Sequence, residues 1–130
     1  MPPAQVVSHN PATVHAPAGG YCMGLELKQH RRLLFISGQV PERSDGTVPE
    51  GFEAQCEQAW RNVIEVLAAA DLGVGHLVKV TTFLTDRNQV VPNRIIRRTM
   101  LGEHQPALTV VIVETVDSRW LFEIEAIAAE

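Results

Sequence analysis

Between residues 52 and 68 apolar side chains recur at spacings of three and four, and from 76 to 85 the chain turns into a Val- and Thr-rich segment. Phe52, Cys56, Ala59, Trp60, Val63, Ile64, Leu67 and Ala68 form one stripe, with Glu53, Glu57, Arg61 and Glu65 away from it. That spacing predicts an amphipathic helix, closed by Asp71-Leu72-Gly73. In the following segment Val78, Val80, Thr82 and Leu84 oppose Lys79, Thr81, Phe83 and Thr85, the alternation of a strand. A one-sided helix must bury its stripe on another element, and a strand next in sequence points to a mixed α+β domain.

The remaining segments extend this pattern. Residues 1 to 20 hold Pro2, Pro3, Pro11 and Pro17 together with Gly19-Gly20 and are expected as an irregular arm, with a short edge strand open at 12 to 15. Residues 21 to 28 and 32 to 37 read as strands joined by a polar turn, a hairpin. Asp86-Arg87-Asn88-Gln89 has the form of a capping box, and Pro92 sets the start of a second helix near Val91, ending around Gly102. Residues 107 to 116 and 119 to 128 read as two strands around a turn at Asp117-Ser118, a closing hairpin. The expected order is hairpin, helix, strand, helix, hairpin, with both helices on one sheet face. In that closing hairpin Thr109, Val111 and Val113 would share a face with Phe122, Ile124 and Ala126, and Leu108, Val110 and Ile112 with Glu123 and Glu125. Neither face is simply polar, so the side without helices is expected to be covered by self-association.

With 130 residues and 45% hydrophobic content the chain is expected to build one core, as a single domain over 1–130. Fifteen acidic against eleven basic residues argue against a broad grip on nucleic acid, whose phosphates supply most of the affinity. The local cluster Arg94, Arg97 and Arg98 reads as one solvated helix face. Cys22 and Cys56 belong to no paired motif and the five histidines are scattered, so neither a disulfide framework nor a metal is expected. Apolar runs fall short of the roughly 20 residues of a membrane helix. The expectation is a soluble cytoplasmic protein that does not engage membranes.

Several pieces, in order and spacing, resemble the RidA/YjgF family over about residues 17 to 129. They are Tyr21 after Gly19-Gly20, Ile36-Ser37-Gly38-Gln39-Val40-Pro41, Asn62-Val63 to Leu67 followed by Ala69-Ala70-Asp71-Leu72-Gly73, and Val78-Lys79-Val80-Thr81-Thr82-Phe83-Leu84. Asn93, Pro106-Ala107 and Phe122-Glu123-Ile124-Glu125-Ala126-Ile127-Ala128 complete the match. The resemblance implies a chorismate-mutase-like fold, a homotrimer around a central β-barrel, and ligand clefts between subunits. It implies hydrolysis of enamine and imine intermediates to a ketoacid and ammonia, without a cofactor.

Position by position, the resemblance implies Tyr21, Ser37, Gly38 and Asn93 as pocket residues and Glu123 as the group that handles water. In the stretch Pro106-Ala107-Leu108-Thr109-Val110 the family's carboxylate-binding arginine is absent: Leu108 holds its place and Val110 that of a cysteine, with Thr109 between them. Loss of a planar cation that donates two charge-assisted bonds weakens carboxylate recognition in the usual pose. Arg94, Arg119 or a basic residue of a neighbouring subunit remain candidates to replace it. Apolar surroundings from Leu108 and Val110 are expected to raise the Glu123 pKa. Two functions stay open, a deaminase of a small metabolite and a non-catalytic binding trimer. Ribonuclease activity is disfavoured by the acidic balance and the lack of paired histidines.

Overall fold

The computed structural model describes residues 5–130. Six strands and two α-helices follow one another as β1 (Gln5–His9), β2 (Gly24–Lys28), β3 (Leu33–Gln39), α1 (Phe52–Ala69), β4 (Leu77–Leu84), α2 (Val90–Leu101), β5 (Ala107–Ile112) and β6 (Phe122–Ala129). They form a two-stranded sheet, β1-β2, and a four-stranded sheet in the order β3-β6-β4-β5. This is the expected mixed α+β class.

The helices are where periodicity places them. In α1 Cys56, Ala59, Trp60, Val63 and Leu67 are fully buried, and Phe52 meets Phe122 of β6 edge to face at 5.9 Å. Asp86 caps the turn before α2 by accepting from the Asn88 N–H, while the Gln89 side chain accepts from the Asp86 N–H, so the capping box forms. At the other end Gly102 takes φ 61, a left-handed conformation suited to glycine.

Both expected hairpins are corrected. β2 pairs with β1, antiparallel, and β3 pairs with β6. After a left-handed Gln29 at φ 54, the Arg31 and Arg32 N–H groups donate to the Glu130 carbonyl at 2.5 and 3.0 Å, and the Glu130 carboxylate is gripped by both arginines. These bonds draw the start of β3 to the end of β6 rather than back onto β2. The arm is likewise more regular than expected, because residues 5–9 form β1 while 12 to 14 are a turn. Residues 1–4 of that expected arm lie outside the described residues.

At the other end β4, α2 and β5 form a crossover with β4 and β5 parallel. The chain then passes across β4 to reach β6 on its far side, so β5 and β6 never pair. Gln55 on α1 fixes this passage by donating to the carbonyls of Pro49 and Arg119 and accepting from the Leu121 N–H.

Because β4 stands between them, the faces of β5 and β6 are matched through β4. Val80 is level with Leu108 and Ala126, Thr82 with Val110 and Ile124, and Leu84 with Ile112 and Phe122. Leu108, Val110 and Ile112 therefore share the helix-side face with Phe122, Ile124 and Ala126. Thr109 and Val111 share the open face with Glu125 and Glu123. The expected assignment is the reverse, since it assumed direct pairing of the last two strands, and a one-residue slip exchanges the faces of a strand.

Candidate functional site

The residues implied by the resemblance divide into two groups on opposite sides of the four-stranded sheet. On the helix side, Tyr21, Asn93, Leu108 and Val110 line one cavity of about 380 Å³. Its floor is β5 and one wall is α2. The other wall is the segment before β2, held to the edge of β5 where the Cys22 N–H donates to the Pro106 carbonyl at 3.2 Å.

Asn93 is 2% exposed, and its side-chain carbonyl has no hydrogen-bond partner among the described residues. Tyr21 accepts from the Ala18 N–H at 3.1 Å, which leaves its own hydroxyl hydrogen able to donate. Leu108 and Val110 pack against the main core and give the cavity an apolar side.

The basic cluster on α2 is not a uniformly solvated face, which corrects the sequence expectation. Arg94 and Arg98 are exposed, but Arg97 is 4% exposed, lines the cavity with Arg94, and leaves its Nε without a partner among the described residues. Burial and the charges of Arg94 and Arg98 hold the Arg97 pKa below the usual guanidinium value. The sequence does carry a signal for this: Val90, Asn93, Arg97 and Leu101 follow one another at spacings of three and four, so Arg97 lies on the inward stripe of α2. Of the proposed replacements for a cation at position 108, Arg94 reaches the cavity, whereas Arg119 is paired with Asp117 at 2.7 Å.

On the open face, Glu123 and Gly38 come together in a different environment, while Thr109 lies two strands away on β5. A bulge in β3 sets Ser37 and Gly38 between the paired positions Ile36–Ala126 and Gln39–Ile124. It brings the Gly38 backbone so close to the Glu123 carboxylate that a side chain at 38 would collide with it. Ser37 is exposed, and its carbonyl accepts from the Gln39 side chain at 3.0 Å. Thr109 is exposed too and accepts from Lys79 Nζ at 2.7 Å.

The Glu123 pKa is raised, first by burial and then by the negative charge of Glu125. The direction is as expected, but the cause is not Leu108 and Val110, which lie on the other face of the sheet. Cys56 is buried, and that burial pushes its thiol up to about 12, so it is held as an unreactive core group. Among the described residues no three of His, Cys, Asp and Glu converge on a metal position, and no helix is long and apolar enough to cross a membrane.

Comparison with known proteins supplies independent context. Residues 13–130 match the family model described as endoribonuclease L-PSP. The chain is 36% identical over 123 residues to a 2-iminobutanoate/2-iminopropanoate deaminase of Salmonella typhimurium, covering 90% of this chain and 94% of that protein. Its fold is similar to YyfB of Yersinia pestis, a Rid-family protein of unknown function, with a TM-score of 0.82, 25% identity, and coverage of 96% and 98% of the two chains. It is also similar to Escherichia coli TdcF with bound serine, with a TM-score of 0.71, 30% identity, and coverage of 88% and 91%.

Proposed function

Since this chain belongs to the RidA/YjgF family, also described as endoribonuclease L-PSP, we propose that it is a deaminase that hydrolyses small enamine or imine intermediates. The observation that carries this reading is the Glu123 carboxylate, held against the Gly38 backbone on the open sheet face and forming no ion pair among the described residues. A carboxyl group in that state, raised above its ordinary pKa by burial and by Glu125, is a stronger proton acceptor than a free carboxylate and is suited to exchange protons with water.

In the proposed reaction Glu123 accepts a proton from water as the water oxygen bonds to the imine carbon. Glu123 returns that proton to the imine nitrogen, giving a neutral carbinolamine, and then carries the carbinolamine hydroxyl proton to the same nitrogen as the carbon–nitrogen bond breaks. Ammonia leaves and a ketone remains. An enamine enters the same route after protonation at carbon. The chemistry needs only water and a proton-transfer group, so no cofactor is proposed.

The same reading includes a homotrimer in the cytoplasm, with ligand clefts between subunits. Its support is the open face, where Phe35 is 70% and Leu33 44% exposed beside Ile127. A barrel of three such sheets would cover these side chains and bring the open-face group of one chain toward a neighbour. One observation favours the second function, a non-catalytic binding trimer: Glu123 and the cavity with Tyr21 and Asn93 lie on opposite faces within a chain.

The deciding experiment generates 2-iminopropanoate in situ with an amino-acid oxidase and follows ketoacid release above the spontaneous rate. Acceleration that is lost in Glu123→Gln is the expected result. No acceleration by the native chain leaves the non-catalytic reading, and equal rates in Glu123→Gln overturn the role given to that carboxylate.

A further inference from the structure

We propose that Arg97, with Tyr21 and Asn93, forms a binding site on α2 for a small organic anion, a carboxylate no larger than a short-chain acid. The inference concerns equilibrium binding and does not depend on whether water adds at Glu123.

Arg97 is a charged group placed where a charge needs a partner. It is 4% exposed, and none of the ion pairs among the described residues includes it. A buried cation without an anion is strongly unfavourable, so such a residue is retained where something else supplies the negative charge. The nearest charges worsen the situation, since Arg94 and Arg98 on the same helix are also cationic and also lack acidic partners among the described residues.

The surroundings have the composition of a site rather than of a packing defect. Arg97 opens onto a cavity of about 380 Å³, which accommodates a molecule of a few heavy atoms and its remaining water. Arg97 and Tyr21 both line the cavity, the guanidinium has no acidic partner among the described residues, and the Tyr21 hydroxyl hydrogen is free to donate beside it. Asn93, one helical turn before Arg97, lines the same cavity, and its side-chain carbonyl has no partner among the described residues. Leu108 and Val110 supply an apolar wall for a short carbon chain.

The chain leading to β2 is shaped to cover this site. Gly19 and Gly20 take φ 114 and 77, and a Cβ at Gly20 would lie 3.7 Å from Arg97 Nη2. A Cβ at Gly19 would collide with the Arg98 guanidinium. The two glycines therefore let bare backbone lie over the arginines at the cavity edge.

Calorimetric titration of the full chain with sodium 2-oxobutanoate at fixed ionic strength tests the site, with inorganic phosphate as the competing anion class. Saturable binding is expected, weakened about 30-fold or more by Arg97→Gln and about 2- to 12-fold by Tyr21→Phe. Arg61→Gln, the same charge change on α1, is expected to leave affinity within about two-fold, as for a remote exposed charge. The native chain supplies a readout that needs no variant: the Arg97 Nε–H resonance shifts as 2-oxobutanoate is added. An unmoved resonance, affinity unchanged in Arg97→Gln, or tighter binding of phosphate overturns the inference. A chain that binds 2-oxobutanoate but hydrolyses no imine overturns the proposed reaction alone. Imine hydrolysis with an unaltered KM in Arg97→Gln overturns this site alone.

Discussion

The Glu123 carboxylate occupies the space that a side chain on Gly38 would need, so the bulge in β3 and the carboxylate of β6 determine each other's position. Gly38 does not have a left-handed backbone, and the constraint on it is the close approach alone. Gly38→Ala is therefore expected to fold and to displace the carboxylate. Misplacing a reacting group by about 1 Å costs on the order of 100-fold in rate, and ketoacid release from 2-iminopropanoate should fall by about that factor. Native turnover in Gly38→Ala would show that the carboxylate position does not matter to the reaction.

Glu125 also acts on Glu123, through charge. Its carboxylate raises the Glu123 pKa, so Glu125→Gln is expected to lower it, a shift read directly from side-chain carbonyl chemical shifts across a pH titration. The effect on stability has a definite sign. A carboxyl whose pKa is raised by folding contributes stability that is fully present below its unfolded value, about 4.3, and is lost as pH rises through the folded value. Glu125→Gln should thus reduce the loss of stability above that pH. A Glu123 titration unchanged in the variant would assign the shift to burial alone.

The parts of this architecture set by local pattern are legible in the sequence, and those set by distant partners are not. The α1 stripe from Cys56 to Leu67 and the Asp86–Gln89 cap depend on residues within a few positions of one another, and both form. The choice of β6 over β2 as the partner of β3 depends on Glu130 meeting Arg31 and Arg32, groups about a hundred positions apart. The same distance effect decides the site. Leu108 and Glu123 look like neighbours when β5 and β6 are read as a hairpin, and the insertion of β4 between them turns their side chains to opposite faces. Arg97 is concealed by its company, since two exposed arginines beside it suggest solvent while its own spacing from Asn93 and Leu101 places it inward.

Phe35 tests the assembly. At 70% exposure on the open face it is a large ring with little cover from its own chain, next to Leu33 at 44%. In a trimer that closes this face, a charge at position 35 would be buried without a partner, a cost of several kcal/mol per subunit. Phe35→Glu is expected to convert the proposed trimer to the mass of a single chain in light scattering, with the helical circular dichroism retained. A native chain that is itself monomeric, or a Phe35→Glu chain that remains trimeric, contradicts the proposed interface.

Arg97 sets function against stability. In the absence of an anion it holds a charge away from water with no acidic partner among the described residues, next to the like charges of Arg94 and Arg98. Replacing such a charge by an apolar side chain of similar length removes the desolvation cost while keeping the packing, and comparable replacements of buried charges stabilise by about 1–4 kcal/mol. Arg97→Met is therefore expected to unfold at a higher temperature than the native chain in anion-free buffer. Addition of 2-oxobutanoate should raise the native midpoint, because a ligand bound only by the folded state stabilises it, and should leave Arg97→Met unmoved. Lower stability of Arg97→Met without ligand would mean that the guanidinium is held by favourable contacts within the fold, and the case for an anion there would lose its energetic basis.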